Sequence, residues 1–201
     1  MQARLPQAPP IRLDRPGAGL PFWQALIARY WIVPRYAKQM SWEAVDRFFT
    51  TETNKILAAY GTLSPEQRTV PVLVPRLQGL EDSSRFWSPA MVLEHLVIVG
   101  SGMQNIIIEL SHGRAPEGKA DTAAVKPLGG VAEQEMQQKF QDFCGSVLKI
   151  LKEKVADQEA ASTFPHPWFG PLTARKWHWL LASHMRIHRK QLEEICRQTQ
   201  A

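Results

Sequence analysis

Cysteine is almost absent from this chain: 201 residues hold two, Cys144 and Cys196. They lie far apart, in no metal-ligating or redox spacing, which argues against a disulfide scaffold or a cysteine-built zinc site. Two buried free thiols in a reducing compartment are expected. Long apolar runs are missing as well. No uninterrupted stretch of about 18 apolar residues occurs, so no membrane-spanning helix is expected. The start of the chain lacks the charged-then-apolar pattern of a secretion signal, and the expected location is the cytoplasm. The net charge is +5, yet the basic residues are scattered and no basic block is interleaved with aromatics. Nucleic-acid binding would rest on charge alone and is not expected. Internal repeats, low-complexity tracts and convincing strand-like alternation are also lacking, which leaves little room for a solenoid or a real sheet.

What is present is helical periodicity. The composition, 44% hydrophobic and 21% charged, is that of an ordinary globular domain with one sizeable core. Residues 1–20 hold Pro6, Pro9, Pro10 and Pro16 with Gly17 and Gly19, and read as an irregular, mobile arm. Residues 21–33 are apolar and aromatic and read as a short helix that ends before Pro34. It either packs on the domain or at a subunit contact, or anchors at a membrane interface. Ser41 opens a long helix over 41–60, striped by Val45, Phe48, Phe49, Ile56 and Tyr60. Glu52 falls in that stripe, either at its exposed edge or paired inside. A turn-rich connector follows over 61–87, in which Val70 to Val74 could pair briefly.

Ser88 and Pro89 start the next helix cleanly, and it runs to about Leu110. Its inward stripe is Val92, His95, Val99, Met103, Ile106 and Leu110. A long loop over 111–130 precedes a third helix, about Val131 to Val155, with Met136, Phe140, Phe143, Val147, Ile150 and Leu151 facing in. The last helix spans Leu172 to Arg197 with Thr173 as its cap. Trp177, Leu180, Leu181, Ile187, Leu192 and Ile195 form its stripe, while Arg175, Lys176, Arg186, Arg189, Lys190 and Arg197 read as its wet face. The fold class that follows is all-α: an antiparallel four-helix bundle over 40–201 with one or two long connections, and an N-terminal helical extension over 1–39.

Three histidines fall on inward stripes. His184 and His188 are four residues apart, so both rings leave one face of the last helix. His95 occupies a core position on a different helix. Buried imidazoles must be satisfied, because an unpartnered buried polar group costs roughly 1–3 kcal/mol, and sharing a metal ion is one way to do it. Three neutral nitrogens would leave a divalent ion with at least one open position, the arrangement of a catalytic site. Each imidazole should then donate its other N–H to an acceptor, for which Glu52 and Gln191 are the candidates. Glu94 points about 100° away from its neighbour His95 and should face solvent. His166, within His166-Pro-Trp-Phe-Gly170, could add a ligand or a base, but the flanking residues favour a rigid turn whose Trp168 and Phe169 cover a bundle end. His178 lies off the stripe and should be exposed or half-exposed, and His112 should be solvated. No catalytic residue can be named.

The segment from Trp87 and Ser88 to His95 resembles the start of the second helix in the DinB-like (DinB/YfiT) superfamily. The run His166-Pro-Trp-Phe-Gly-Pro-Leu to Trp177, then His184, His188 and Gln191, is similar to that superfamily's last helix and preceding loop, closest to its DUF1569-type members. The resemblance covers about 40–198 and says nothing of 1–39. It implies a four-helix bundle holding a divalent metal, often nickel or zinc, on His95, His184 and His188. It also implies, for some members, thiol-dependent S-transferase or isomerase activity with bacillithiol, mycothiol or glutathione. It implies no DNA binding. Two functions are therefore expected: a metal-dependent enzyme acting on a small molecule with a low-molecular-weight thiol, or a non-catalytic metal-binding or assembly protein whose N-terminal helix makes oligomer or membrane contact. A small-molecule substrate is the expected partner, a membrane is the weaker one, and a homodimer stays open.

Overall fold

The computed structural model describes residues 12–200. The first part of the proline-rich arm, residues 1–11, lies outside them. The described part of that arm is tied down: the Asp14 N–H donates to Asp82 Oδ2 at 2.9 Å and the Gly19 N–H to Glu81 Oε1 at 3.0 Å.

The N-terminal helix begins as α1 (Phe22–Ile27), loosens into a π-helical stretch (Ala28–Ile32) and continues as α2 (Val33–Gln39). It therefore passes Pro34, where the sequence pattern placed its end. The proline ring would clash with the carbonyl four residues back in a regular α-helix. The wider π turn just before it accommodates the ring. Val33 and Ala37 bury the inner side of this helix against the last helix of the bundle.

Four long helices follow as the periodicity predicts: α3 (Trp42–Gly61), α5 (Pro89–Ser111), α6 (Glu133–Lys154) and α7 (Ala174–Thr199). The Ser41 hydroxyl accepts from the Ala44 N–H at the head of α3, and Ser88 from the Met91 N–H at the head of α5. Thr173 stands at the start of α7, but its side chain makes no capping bond. The short α4 (Pro65–Thr69) is held by a capping box between Ser64 and Gln67.

The antiparallel relation holds between pairs of helices. Trp42 stacks on His178, Cys196 reaches the Ala59 carbonyl and Gln200 reaches Thr62, so α3 and α7 run the same way. Tyr60, at the end of α3, donates to the Glu133 carbonyl at the start of α6, which therefore runs oppositely. Helix α5 lies between α7 and α6. The connection over 112–132 returns the chain along the bundle so that α5 and α6 start at the same end. Glu94, near the head of α5, accepts from the Leu128 and Gly129 N–H groups at 3.2 and 3.0 Å. Glu94 is thus buried rather than solvated, because its carboxylate satisfies the backbone of the crossing loop.

Two short hairpins complete the structure. One pairs β1 (Val72–Leu73) with β2 (Phe86–Trp87), and the other pairs β3 (Phe164–His166) with β4 (Gly170–Leu172). The second takes Leu172 out of the last helix and builds the turn expected over 166–170. Helix α5 has the length and mean hydropathy, 1.5, of a spanning helix, contrary to expectation. Its place between α6 and α7 explains the apolar surface. At Gly100 the Phe143 ring of α6 lies directly against α5, and a Cβ there would collide with it. Gly100→Ala should therefore lower stability by about 1–2 kcal/mol. Overpacking at about 1–3 kcal/mol outweighs the gain of at most about 1 kcal/mol in helix propensity. An unchanged or raised denaturant midpoint would contradict this packing.

Candidate metal centre

His95 on α5 and His184 and His188 on α7 meet in the bundle interior. Their ring centroids lie 5.1, 4.7 and 4.5 Å apart, for the pairs 95–184, 95–188 and 184–188. One nitrogen from each lies within 4.8 Å of the others, close enough for a single ion to be shared. Trp87 covers the group, with its ring stacked on His188 at 5.8 Å and tilted on His95 at 4.9 Å. The Trp87-Ser88 pair thus has two jobs, one residue roofing the histidines and the next capping the helix that carries one of them.

The tautomers follow from the partners. His95 Nδ1–H donates to the Val125 carbonyl at 2.8 Å, and His188 Nδ1–H donates to Gln191 Oε1 at 2.8 Å. The Gln191 amide is oriented in turn, because its Nε2 donates to the Ser84 carbonyl at 2.7 Å. Both imidazoles therefore present a bare Nε2 to the interior. His184 Nε2 is sealed from solvent and has no hydrogen-bond partner among the described residues. Burial lowers the His95 pKa to about 4 despite the Val125 carbonyl. Burial first, then the neighbouring imidazoles, holds His184 and His188 well below the usual histidine range. Three neutral rings, two with their protons committed away from the centre and the third with an orphaned nitrogen, form a donor set that suits a divalent cation.

The other expected residues fall elsewhere. Glu52 is buried, but its partner is Arg189, not an imidazole. That pairing also removes Arg189 from the wet face of α7, and it arises because α3 and α7 run side by side. His178 is buried, not exposed: it stacks on Trp42 at 3.9 Å and donates from Nε2 to Asp46 Oδ1 at 2.9 Å. His112 is exposed and lies at the end of α6, where its Nε2 donates to the Lys154 carbonyl at 2.9 Å. His166 is buried in the β3–β4 turn, where its Nδ1 accepts the Trp168 N–H at 3.1 Å and Phe169 stacks over it at 4.4 Å. Burial brings its pKa down to about 4. It faces the same cavity as the triad but is held by its own turn.

Four residues of the centre escaped sequence reading: Glu81, Ser84, Val125 and Lys126. The Lys126 ammonium pairs with the Glu81 carboxylate and donates to Ser84 Oγ at 2.8 Å. Burial opposes ionisation of Glu81, but Lys126 and the Gly19 N–H outweigh it and hold the carboxyl below its usual range. Ser84 thus joins two chains of contacts, through its carbonyl to Gln191 and His188, and through its hydroxyl to Lys126. A cavity of about 620 Å³ opens over the histidines. Val99, Met103 and Leu180 supply apolar wall, Lys126, Arg186 and Lys190 supply positive charge, and Trp23 and Ile27 of the N-terminal helix close one side.

With this geometry in hand, the comparisons with known proteins are specific. A family model for the DinB superfamily matches residues 49–192. Among solved structures, the fold is similar to that of TT2238, described as a four-helix bundle protein. The TM-score is 0.52 at 22% sequence identity, over 76% of this chain and 98% of that one. No curated protein matches the chain in sequence.

The depressed histidine pKa values fix the sign of a pH effect in chelator-stripped protein. Below about pH 6.5 the unfolded chain takes up protons that folded His95 and His166 refuse until about pH 4. Stability is thus fully present above pH 6.5 and falls toward pH 4, by about 3 kcal/mol for each group. Denaturant titrations across that range should show the decline, and a flat profile would mean the rings are solvated.

Proposed function

This chain belongs to the DinB superfamily, and we propose that it is a divalent-metal protein acting on a small molecule, with His95, His184 and His188 as the metal ligands. The observation that carries the reading is the orphaned Nε2 of His184, set against two imidazoles whose protons are directed outward. Among the described residues no polar group satisfies that nitrogen, and an unpartnered buried nitrogen costs roughly 1–3 kcal/mol. A metal held by these three residues would supply Lewis acidity and an open position, the chemistry that lowers the pKa of a bound thiol. Nickel and zinc both suit imidazole donors.

The chain's own residues do the rest. Val125 and Gln191 hold the rings in their ligating tautomer. Trp87 and the apolar wall exclude water. Arg186 and Lys190 at the cavity favour a substrate or thiol that carries negative charge, such as the carboxylates of a low-molecular-weight thiol. Transfer of the thiol sulfur, or thiol-assisted isomerisation, is the reaction class this arrangement suits. The His166–Gly170 turn, with Trp168 and Phe169 beside the cavity, fits the DUF1569-type members. The open cavity above the triad speaks against a closed, purely structural metal site, which is the competing reading.

Elemental analysis tests the proposal at its base. Purified protein should carry close to one equivalent of nickel or zinc, and the His95→Ala, His184→Ala, His188→Ala triple variant essentially none. Equal metal in both would end it. Gln191→Ala should keep the ligands but weaken metal binding about 10–100-fold, because His188 loses the acceptor that fixes its tautomer. Consumption of an electrophile with a thiol, lost in His188→Ala, separates the enzyme from the structural reading. If metal-loaded protein turns over no thiol and electrophile pair, the structural reading stands.

A further inference from the structure

The outer side of the N-terminal helix is the largest feature the metal centre leaves unused. Phe22, Leu26 and Tyr30 follow one another at intervals of four, and so do Trp23, Ile27 and Trp31. A four-residue step overshoots a full α-helical turn by about 40°, while in the wider π-helical stretch it falls short. The mixed helix therefore keeps both columns on one face. All six side chains are exposed; Phe22 is 77%, Trp31 69% and Tyr30 64% accessible. A monomeric protein rarely leaves a contiguous aromatic and aliphatic strip of this kind in water.

The charge within the helical segment itself is all of one sign. Residues 15–42 contain Arg15, Arg29, Arg35 and Lys38 and no aspartate or glutamate. All four cations are exposed. The Arg35 guanidinium lies 5.9 Å from the Trp31 ring, so positive charge stands beside the aromatic columns, while Arg29, 5.3 Å from the Tyr30 ring, rests on Gly170 of the β3–β4 turn. An isologous contact between two copies would bring this cationic face against itself, and like charges across an interface are strongly disfavoured. Aromatic rings flanked by Arg and Lys match instead a water–lipid boundary with anionic headgroups, where the rings sit at headgroup depth and the cations meet phosphate.

We propose that the exposed face of the Phe22–Gln39 helix docks the protein onto an anionic phospholipid bilayer. The helix lies in the plane of the interface with Phe22, Leu26, Tyr30 and Trp31 inserted, and Arg35 and Lys38 on the headgroups. It does not span the membrane, because its inner side stays packed on α7 through Val33 and Ala37. Trp23, Ile27 and Tyr36 also line the cavity over the histidines, so the lipid-facing side and the cavity mouth adjoin.

The full chain should co-sediment with vesicles of phosphatidylcholine mixed with phosphatidylglycerol, much less with phosphatidylcholine alone, and binding should weaken as salt is raised. The double variant Phe22→Ser, Trp31→Ser changes two outward rings that do not line the cavity. It should keep its circular dichroism and melting temperature and lose at least about tenfold in vesicle affinity. Arg35→Glu with Lys38→Glu should lose binding to the anionic vesicles specifically. No binding to anionic vesicles, or equal binding by the folded Phe22→Ser, Trp31→Ser variant, would overturn the proposal. So would a wild-type dimer that this variant converts to monomer, which would assign the face to a second copy of the chain.

Discussion

Burying three imidazoles in one helical bundle imposes a constraint that the rest of this structure answers. A neutral imidazole carries one donor and one acceptor, and apolar side chains satisfy neither. Here the donors of two rings are taken by the Val125 carbonyl and Gln191 Oε1. Each of those acceptors is fixed by something else. Gln191 is anchored by the Ser84 carbonyl, and Val125 belongs to a loop whose next residue, Lys126, is bound to Glu81 and Ser84. The Nε2 atoms of His95 and His188 are left facing the orphaned Nε2 of His184, an arrangement that a shared cation could satisfy.

That constraint explains why the irregular parts of the chain are as well placed as the helices. The 112–132 connection is long because it carries the chain back along the bundle, and such loops are ordinarily variable. This one is pinned at Val125 and Lys126 over the histidines and at Leu128 and Gly129 by Glu94. The N-terminal arm joins the same web, since Gly19 donates to the carboxylate that holds Lys126. Removing one partner of a buried ion pair such as Glu81–Lys126 leaves an uncompensated charge at a cost of about 3–5 kcal/mol. The arm, the loop and the metal centre therefore share one electrostatic unit.

The helices and the triad were legible because both are periodic. Spacings of three and four place Val92, His95 and Met103 on one face, and His184 and His188 one turn apart, whatever lies between the helices. Gln191 was legible for the same reason, three residues beyond His188. Glu81, Ser84 and Lys126 were not, because their partners lie 42–45 residues away for Lys126 and 107 for the Ser84–Gln191 bond. No local pattern encodes such pairs. The solvent-facing readings of Glu94 and His178, and the edge alternative for Glu52, fail for one cause. Each is a polar residue at the edge of a stripe, where a helical projection predicts solvent, and each is covered by an element the projection omits: Arg189 of α7, the crossing loop, and Trp42 of α3. Pro34 was read as a terminator because a straight α-helix cannot hold it there, and the π turn was not anticipated.

The charge balance of the centre bears on what it can hold. The three imidazoles are neutral. Glu81 is matched by Lys126, and Glu94 is spent on backbone N–H groups at the loop. Among the described residues, no free carboxylate remains beside the triad to offset a divalent ion. An ion bound by three neutral nitrogens would keep its full double charge in a cavity that also carries Arg186 and Lys190. In a low-dielectric interior that surplus is costly unless an anion joins it. A thiolate, or a substrate oxygen bearing negative charge, would relieve it directly at the open position. The lack of a protein carboxylate would thus be selective: a divalent ion held by the triad would be most stable with an anion from outside as its fourth ligand.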